Sequence, residues 1–371
     1  MKNLDYVIQV ARQFTSVSAE LITAKPYGAG NINDTFLISV NKPVSDHFIL
    51  QRINQRVFPH PEQIMSNLSV LSKHLLTKAS QQKRRWEIVK AIPTTKRKNY
   101  FLDKEGNFWR ALTFIKGAHT YASVRNVRHA YEAGFALGTF QRLISDLNPQ
   151  ELYDTLPGFH SMPDYLTHYD EVLGGYRLPT TKTVAYAIDE IRRCRSWALR
   201  LDEAYKKGIL VERPIHGDPK VDNIMVDDRT GRAVSIIDLD TVKPGLVQFD
   251  IGDCLRSSCN PLGEETDRFE KISFDLDLCR AILRGYLSEV AAFYTSADYA
   301  YIYDGLRILT FEMALRFFTD YLEGNVYFKV HYPEHNLNRA LVQFKLLASV
   351  ERQEKEIRRL IREMAQKERL S

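Results

Sequence analysis

An α+β fold of two lobes is predicted by this sequence: a small antiparallel β-sheet carrying one inserted helix, then a larger and mainly helical lobe. Three observations point there. Up to about residue 115, short runs of β-branched and aromatic residues alternate with turns bearing glycine and aspartate. Beyond that point apolar residues recur three and four apart, the spacing of a helix face. Two short apolar segments interrupt the helical part, and one of them, "IHGDPKVDNIMV" (215–226), holds five polar side chains between its apolar ends. The lobes are expected over residues 1–115 and 116–371.

Each element follows in order. "ELITAKPYGAGNINDTFLISV" (20–40) reads as strand, glycine turn, strand, with Thr35, Phe36, Leu37, Ile38 and Val40 supplying the strand bias. "HFILQRI" (47–53) is a third strand. Pro59 and Pro61 bracket a helix start, and "PEQIMSNLSVLSKHLL" (61–76) sets Ile64, Leu68, Leu71 and Leu75 on one face. "WEIVKAI" (86–92) reads as a strand and "NYFLDKEGNFWRALTFI" (99–115) as a hairpin turning at "DKEG". Ser123 is the expected cap of a helix from Val124 to about Leu147. A further helix is expected over 182–207, and helical patterns resume from about 265 to the end. There Ile357, Leu360, Ile361 and Met364 share a face. Neither an internal repeat nor a low-complexity segment is visible.

The composition is that of an ordinary globular chain: 371 residues, 44% apolar and 26% charged. A net charge of +5 suits a small anionic ligand and does not argue for nucleic acid. The basic residues of the last stretch, 351–371, alternate with glutamates and lack interleaved aromatics, which is the pattern of a solvated helix face. Cys194, Cys254, Cys259 and Cys279 form no CxxC pair and no zinc-type spacing with histidine, so buried reduced thiols are expected. There is no signal-like start and no apolar run of membrane-spanning length. A cytoplasmic chain without membrane or nucleic-acid partners, monomeric or weakly dimeric, is the expectation.

The chemistry is concentrated in "IHGDPKVDNIMV". His216, Asp218 and Asn223 follow the H-x-D-x-x-x-x-N layout of a kinase catalytic loop. A hydroxyl attacking ATP needs a carboxylate to orient it and take its proton, the role expected of Asp218. Mg²⁺ prefers hard oxygen ligands, and the amide oxygen of Asn223 is one. Twenty residues after Asp218, "VSIIDLDTV" (234–242) ends an apolar strand in Asp238 and Asp240. A strand pair turning at "DDRTG" would return Asp238 to Asn223 as the second metal ligand. His216 is read as a support of the loop, and Lys220 as a contact to the γ-phosphate or a solvated lysine.

"YGAGNINDTF" (27–36) should cover the nucleotide phosphates, with Gly28, Gly30 and Asn31 in the turn. The usual strand-three lysine is absent, and Gln51 or Arg52 stands in its place. Glu62 is either a partner of Arg52 or a first-turn glutamate favoured by the helix dipole. "RALTFIKG" (110–117) is the expected linker under adenine, with Phe114 facing the base or belonging to the core. In "FDIGDCLRSS" (249–258), Asp250 and Asp253 are expected to brace the catalytic loop.

"HGDPKVDNIMV", "IIDLDTVKPG" and "FDIGDCLR" resemble the aminoglycoside phosphotransferase and choline kinase superfamily, which has a protein-kinase-like fold. "GAGNINDTF", "FILQRINQRVFPHPEQIMSNL", "TLPGFHSMPDY" and "RFFTDYLEGNVYFKVHYPEHNLNRA" resemble the N-acetylhexosamine 1-kinases, over about residues 20–350. The resemblance implies ATP, Mg²⁺ and phosphorylation of the C1 hydroxyl of GlcNAc or GalNAc. It places the base at Asp218 and the metal at Asn223 and Asp238. It also implies that Arg316 and Tyr327 face a small neutral sugar, with Asp320 a further candidate. Choline, homoserine or aminoglycoside acceptors are the alternative.

Overall fold

The computed structural model describes residues 4–15, 21–28, 32–41, 46–176 and 181–370. A first helix α1 (Leu4–Ala11) precedes strands β1 (Leu21–Pro26), β2 (Asp34–Asn41) and β3 (Asp46–Arg52), and helix α2 (Pro61–Ser80) follows. Strands β4 (Ala91–Ile92), β5 (Phe101–Leu102) and β6 (Phe108–Thr113) complete an antiparallel sheet of order β1-β2-β3-β6-β4, with β5 also on β6. The segment read as a strand over 86–92 pairs only at Ala91 and Ile92.

This sheet is covered on both faces. Phe48 and Leu50 of β3 join Phe36, Ile38, Trp109 and Ala111 in a cluster with Val7 and Val10 of α1. Ile53, Phe108 and Leu112 point the other way, into a core shared with Leu68, Leu71 and Leu75 of α2. That core continues without a break into the helical part of the chain, where it takes in Phe140 and Leu283.

The remainder is mostly helical. It runs through β7 (Ala118–His119), α3 (Val127–Ile144), α4 (Met162–Gly175), α5 (Lys182–Ala198) and α6 (Arg200–Lys206). After these come β8 (Arg213–Ile215), β9 (Ile224–Asp227), β10 (Ala233–Ile236) and β11 (Lys243–Gly245). Helices α7 (Val247–Ser258), α8 (Leu276–Val290), α9 (Ser296–Ala300), α10 (Ile302–Leu322), α11 (His335–Arg352) and α12 (Glu354–Leu370) close the chain.

Two boundaries differ from expectation for local reasons. The cap of α3 is Asn126, whose side chain accepts from the His129 amide, in place of Ser123. The helix expected over 182–207 breaks at Leu199 into α5 and α6. The four cysteines are buried and free. Ile357, Leu360 and Ile361 of α12 are buried, with Met364 packed beside them. Among the described residues no helix is long and apolar enough to cross a membrane.

Candidate active site

β9 and β10 form the expected antiparallel pair, with Ile224 opposite Ile236. The pairing carries the chain back so that the Ile237 amide donates to the Asn223 carbonyl at 2.8 Å. Asp238 follows in a left-handed conformation (φ 62°), sparsely populated for a non-glycine residue, and is exposed in the cleft. Asn223 donates its side-chain amide to the Asp218 carbonyl at 2.8 Å. Its amide oxygen is thereby the atom left for a ligand. Asp218, Asn223 and Asp238 therefore sit together at the mouth of the ribbon.

The loop that carries Asp218 is pinned by buried groups. Both carboxylate oxygens of Asp250 on α7 accept backbone amides at 2.8 Å, from His216 and from Gly217. Gln141 of α3 donates to the same carboxylate. Gly217 has φ +85°, and a Cβ there would lie 2.6 Å from the Thr241 carbonyl, so only glycine fits the turn. His216 gives its Nε2–H to the Ile237 carbonyl at 2.9 Å and accepts the Asp218 amide on Nδ1 at 3.3 Å. Those partners define the neutral Nε2–H tautomer, and burial lowers the ring's pKa. Asp253 braces α7 itself, pairing with Arg256 at 2.6 Å. Lys220 lies 3.1 Å from the Asp218 carboxylate, whose charge raises the lysine's pKa.

Asp240 is engaged elsewhere. Its Oδ1 meets Arg110 of β6 at 2.6 Å and its Oδ2 accepts from Asn33 at 2.8 Å. Arg110 also donates twice to the Gln51 side-chain oxygen, at 2.9 and 2.7 Å. Gln51 and Arg110 are opposite each other in the β3–β6 register. Strand alternation puts Gln51 on the cleft face with Ile53, and Arg52 on the opposite face with Leu50. There Arg52 bonds Asp34 of β2 at 3.0 Å and lies 6.0 Å from the Trp109 ring. Of the two readings of Glu62, the pair with Arg52 does not form: Glu62 is an exposed first-turn glutamate of α2 beside His60, at 3.4 Å. Arg52 is thus on the α1 face of the sheet, and Gln51 on the cleft face.

Gly28 is exposed with φ +75°, while Gly30 and Asn31 lie outside the described residues. Phe114 is half-buried between Tyr27 (ring centroids 6.0 Å apart) and His47 (5.8 Å).

A cavity of about 510 Å³ opens between α4 and α10. Phe159, Tyr165, Tyr327 and Phe328 line it, and the Arg316 guanidinium lies 5.2–5.8 Å from all four ring centroids. Arg316 comes no closer than 3.7 Å to Glu312 and 3.8 Å to the Met313 sulfur. Phe159 of the lining is followed by His160, whose Nε2 meets the Gly217 carbonyl at 2.8 Å, so the cavity and the loop that carries Asp218 adjoin. Tyr327 is half exposed. Asp320 lines the cavity as well, with its carboxylate engaged by neighbouring donors. Its carboxylate accepts the backbone amides of Val326, Tyr327 and Phe328 and the Asn336 side chain, at 2.7–3.0 Å. Four donors occupy it, and its work is to hold the loop that presents Tyr327.

Sequence reasoning missed His160, Glu312 and Arg110. His160 lies inside "TLPGFHSMPDY", and its Nε2 meets the Gly217 carbonyl at 2.8 Å. Among the described residues no group of three or more His, Cys, Asp or Glu side chains converges as a metal cage.

Residues 23–287 match the phosphotransferase enzyme family. Among solved structures the chain is similar to a microcompartment-associated aminopropanol kinase, at 15% identity and TM-score 0.67, over 96% of this chain and 99% of that one. It is also similar to an aminoglycoside phosphotransferase from Alicyclobacillus acidocaldarius (13%, TM-score 0.63, 94% and 96%). A choline kinase from Cryptosporidium parvum gives 12% identity and TM-score 0.58, over 96% and 98%. At these identities the likeness is one of fold.

Proposed function

The chain belongs to the phosphotransferase enzyme family, and from that premise we propose an ATP- and Mg²⁺-dependent kinase acting on the C1 hydroxyl of an N-acetylhexosamine. The observation that carries the neutral acceptor is the placement of Arg316. A guanidinium stays charged at any working pH, and here it stands in the wall of the cavity beside the catalytic loop. A cationic amine would meet a like charge there. A sugar finds N–H donors and flat aromatic faces, which suit its hydroxyl and C–H surfaces. The choice of C1 and of the N-acetyl group follows the sequence resemblance.

The donor set suits Mg²⁺. One amide oxygen (Asn223) and one carboxylate (Asp238) are hard ligands, too few for a closed cage, and Mg²⁺ fills its remaining positions with waters and phosphate oxygens. Asp238 is open to the cleft, yet the protein atoms packed around its carboxyl, then the charges of Asp240 and Asp218, push it up to about 7, so a cation beside it would be favourable. Bound there, the ion would offset charge on the β- and γ-phosphates. Asp218 orients the acceptor hydroxyl and takes its proton as the oxygen bonds to the γ-phosphorus and the bridging oxygen leaves with ADP. Lys220 neutralises charge next to that carboxylate. Gly28, Gly30 and Asn31 would cover the phosphates, and Phe114 with Tyr27 would flank the base, between lobes 1–115 and 116–371.

The test is ADP release across free sugars and amino alcohols, with product analysis. GlcNAc or GalNAc should yield the 1-phosphate, and Asp218→Asn should lower kcat at least ~10²-fold with ATP binding retained. Phosphate on C6, or transfer to an amino alcohol alone, would rule the reading out.

A further inference from the structure

The peptide plane that precedes Asp218 is held at both ends by a histidine. Its N–H, on Asp218, goes to Nδ1 of His216 at 3.3 Å. Its C=O, on Gly217, receives the Nε2–H of His160 at 2.8 Å. A carbonyl can only accept, so His160 carries a proton on Nε2. Its Nδ1 lies 3.0 and 3.2 Å from the two oxygens of Glu312. Glu312 is 1% exposed and the His160 side chain 4%, so this pair is closed to water.

The ring is fixed in plane as well. Phe159 lies 3.9 Å away and Phe249 stacks on it at 5.1 Å, both between ring centroids. His160 itself has φ +66°, a conformation that costs on the order of 1–3 kcal/mol for a non-glycine residue and persists only where the surroundings enforce it. The charged groups acting on the ring are Glu312 from α10 and Asp253 from α7, and Lys243 of β11 donates to the adjoining Phe159 carbonyl at 2.8 Å. Tyr165 of α4 accepts the His160 amide at 3.4 Å. Burial works against an imidazolium here, but the Glu312 carboxylate and the Gly217 carbonyl outweigh it and raise the pKa.

We propose that His160 is a positioning residue for phosphoryl transfer: donating from both ring nitrogens, it ties Glu312, beneath the Arg316 of the acceptor cavity, to the Gly217 carbonyl and so sets where Asp218 meets the acceptor hydroxyl. The proposal rests on the kinase reading above and adds a connection to it. Acceptor cavity and catalytic base share one rigid chain of groups, Arg316, Glu312, His160 and Gly217. Glu312 is covered by His160 and takes no part in the cavity lining, where Arg316 stands with the carboxylates Asp164, Asp320 and Glu323.

Kinetics and ring spectroscopy test it. His160→Phe keeps the stacked ring and removes both donors. With the acceptor that the sugar and amino-alcohol panel identifies, it should lower kcat ~10-fold or more while the ATP KM stays within about 2-fold. His160→Gln restores one donor toward Gly217 and should recover part of that loss. Glu312→Gln on top of His160→Phe should cost less than Glu312→Gln alone, because the two act as a unit. In the unmodified chain, ¹⁵N spectra taken near pH ~7, where a free imidazole is mostly neutral, should show both ring nitrogens protonated. A kcat within about 2-fold for His160→Phe, or a ring with a single proton at that pH, would overturn the proposal. The ring measurement needs neither an acceptor nor a variant, so it decides even if His160→Phe fails to fold. Failure of the acceptor reading is separate: it shows as no GlcNAc or GalNAc transfer by the unmodified chain.

Discussion

Two arginines flank the cleft, and they are used in opposite ways. Arg110, on the nucleotide side, is 2% exposed and spends its donors on Gln51 and on Asp240 at 2.6–2.9 Å. Arg316, in the cavity between α4 and α10, faces four aromatic rings and among the described residues has no oxygen partner nearer than Glu312 at 3.7 Å. A guanidinium has five N–H groups in a fixed fork. Where neighbouring side chains occupy the fork, the residue belongs to the frame; where rings surround it, donors remain for a ligand. Arg110 thus joins β6 to the loop that carries Asp238, while Arg316 stands ready for whatever enters the cavity.

The sharpest way to break this contrast is to remove Arg110. Arg110→Met leaves Asp240 buried with only Asn33 as a partner. Breaking a buried pair from one side typically costs about 3–5 kcal/mol, because the remaining charge stays uncompensated. Urea unfolding of this variant should show a loss of that size. A loss under about 1 kcal/mol would mean that Arg110 is not part of the frame.

Arg316→Ala should behave in the reverse sense. It strands no tightly bonded carboxylate, so the unfolding midpoint should move little. The acceptor KM should rise about 10-fold or more with the ATP KM unchanged, since contacts to one substrate alone are lost. An equal rise in both constants would place Arg316 with Arg110 in the frame.

The convergence of Asp218, Asn223 and Asp238 was legible in the sequence because its signal is local. Asp218 and Asn223 are five residues apart, and the apolar flanks of β9 and β10 announce the pairing that returns Asp238. Strand three was not, for a physical reason. When a sheet has one solvated face, polar residues mark it; here α1 covers one face and α2 the other, so Leu50, Ile53 and their neighbours are apolar on both. Alternation then shows that Gln51 and Arg52 point apart without showing which faces the cleft. Arg110 and Asp240 are separated by 130 residues, and His160 and Glu312 by 152, spacings at which no periodicity links them. The bonds that the Asp320 carboxylate makes to the turn after α10 were not legible, because the sequence does not display which backbone amides a turn leaves exposed.

The smallest expected effect belongs to Arg52, and it sharpens the contrast from a third direction. This arginine was one of two candidates for the strand-three cation, yet its side chain is 41% exposed and its partner is Asp34 on the neighbouring strand. A pair of this kind contributes about 0–1 kcal/mol, since water screens it and two long side chains must be ordered to form it. Its guanidinium is on the α1 face of the sheet, so the sheet itself separates it from a nucleotide in the cleft. Arg52→Ala should therefore leave the ATP KM within about 2-fold and the unfolding midpoint nearly unmoved. Gln51→Ala, one residue earlier on the cleft face, removes the oxygen that receives two donors from Arg110 and should perturb both more. A tenfold rise in the ATP KM of Arg52→Ala, with Gln51→Ala silent, would return the strand-three cation to the nucleotide and reverse the assignment of the two faces.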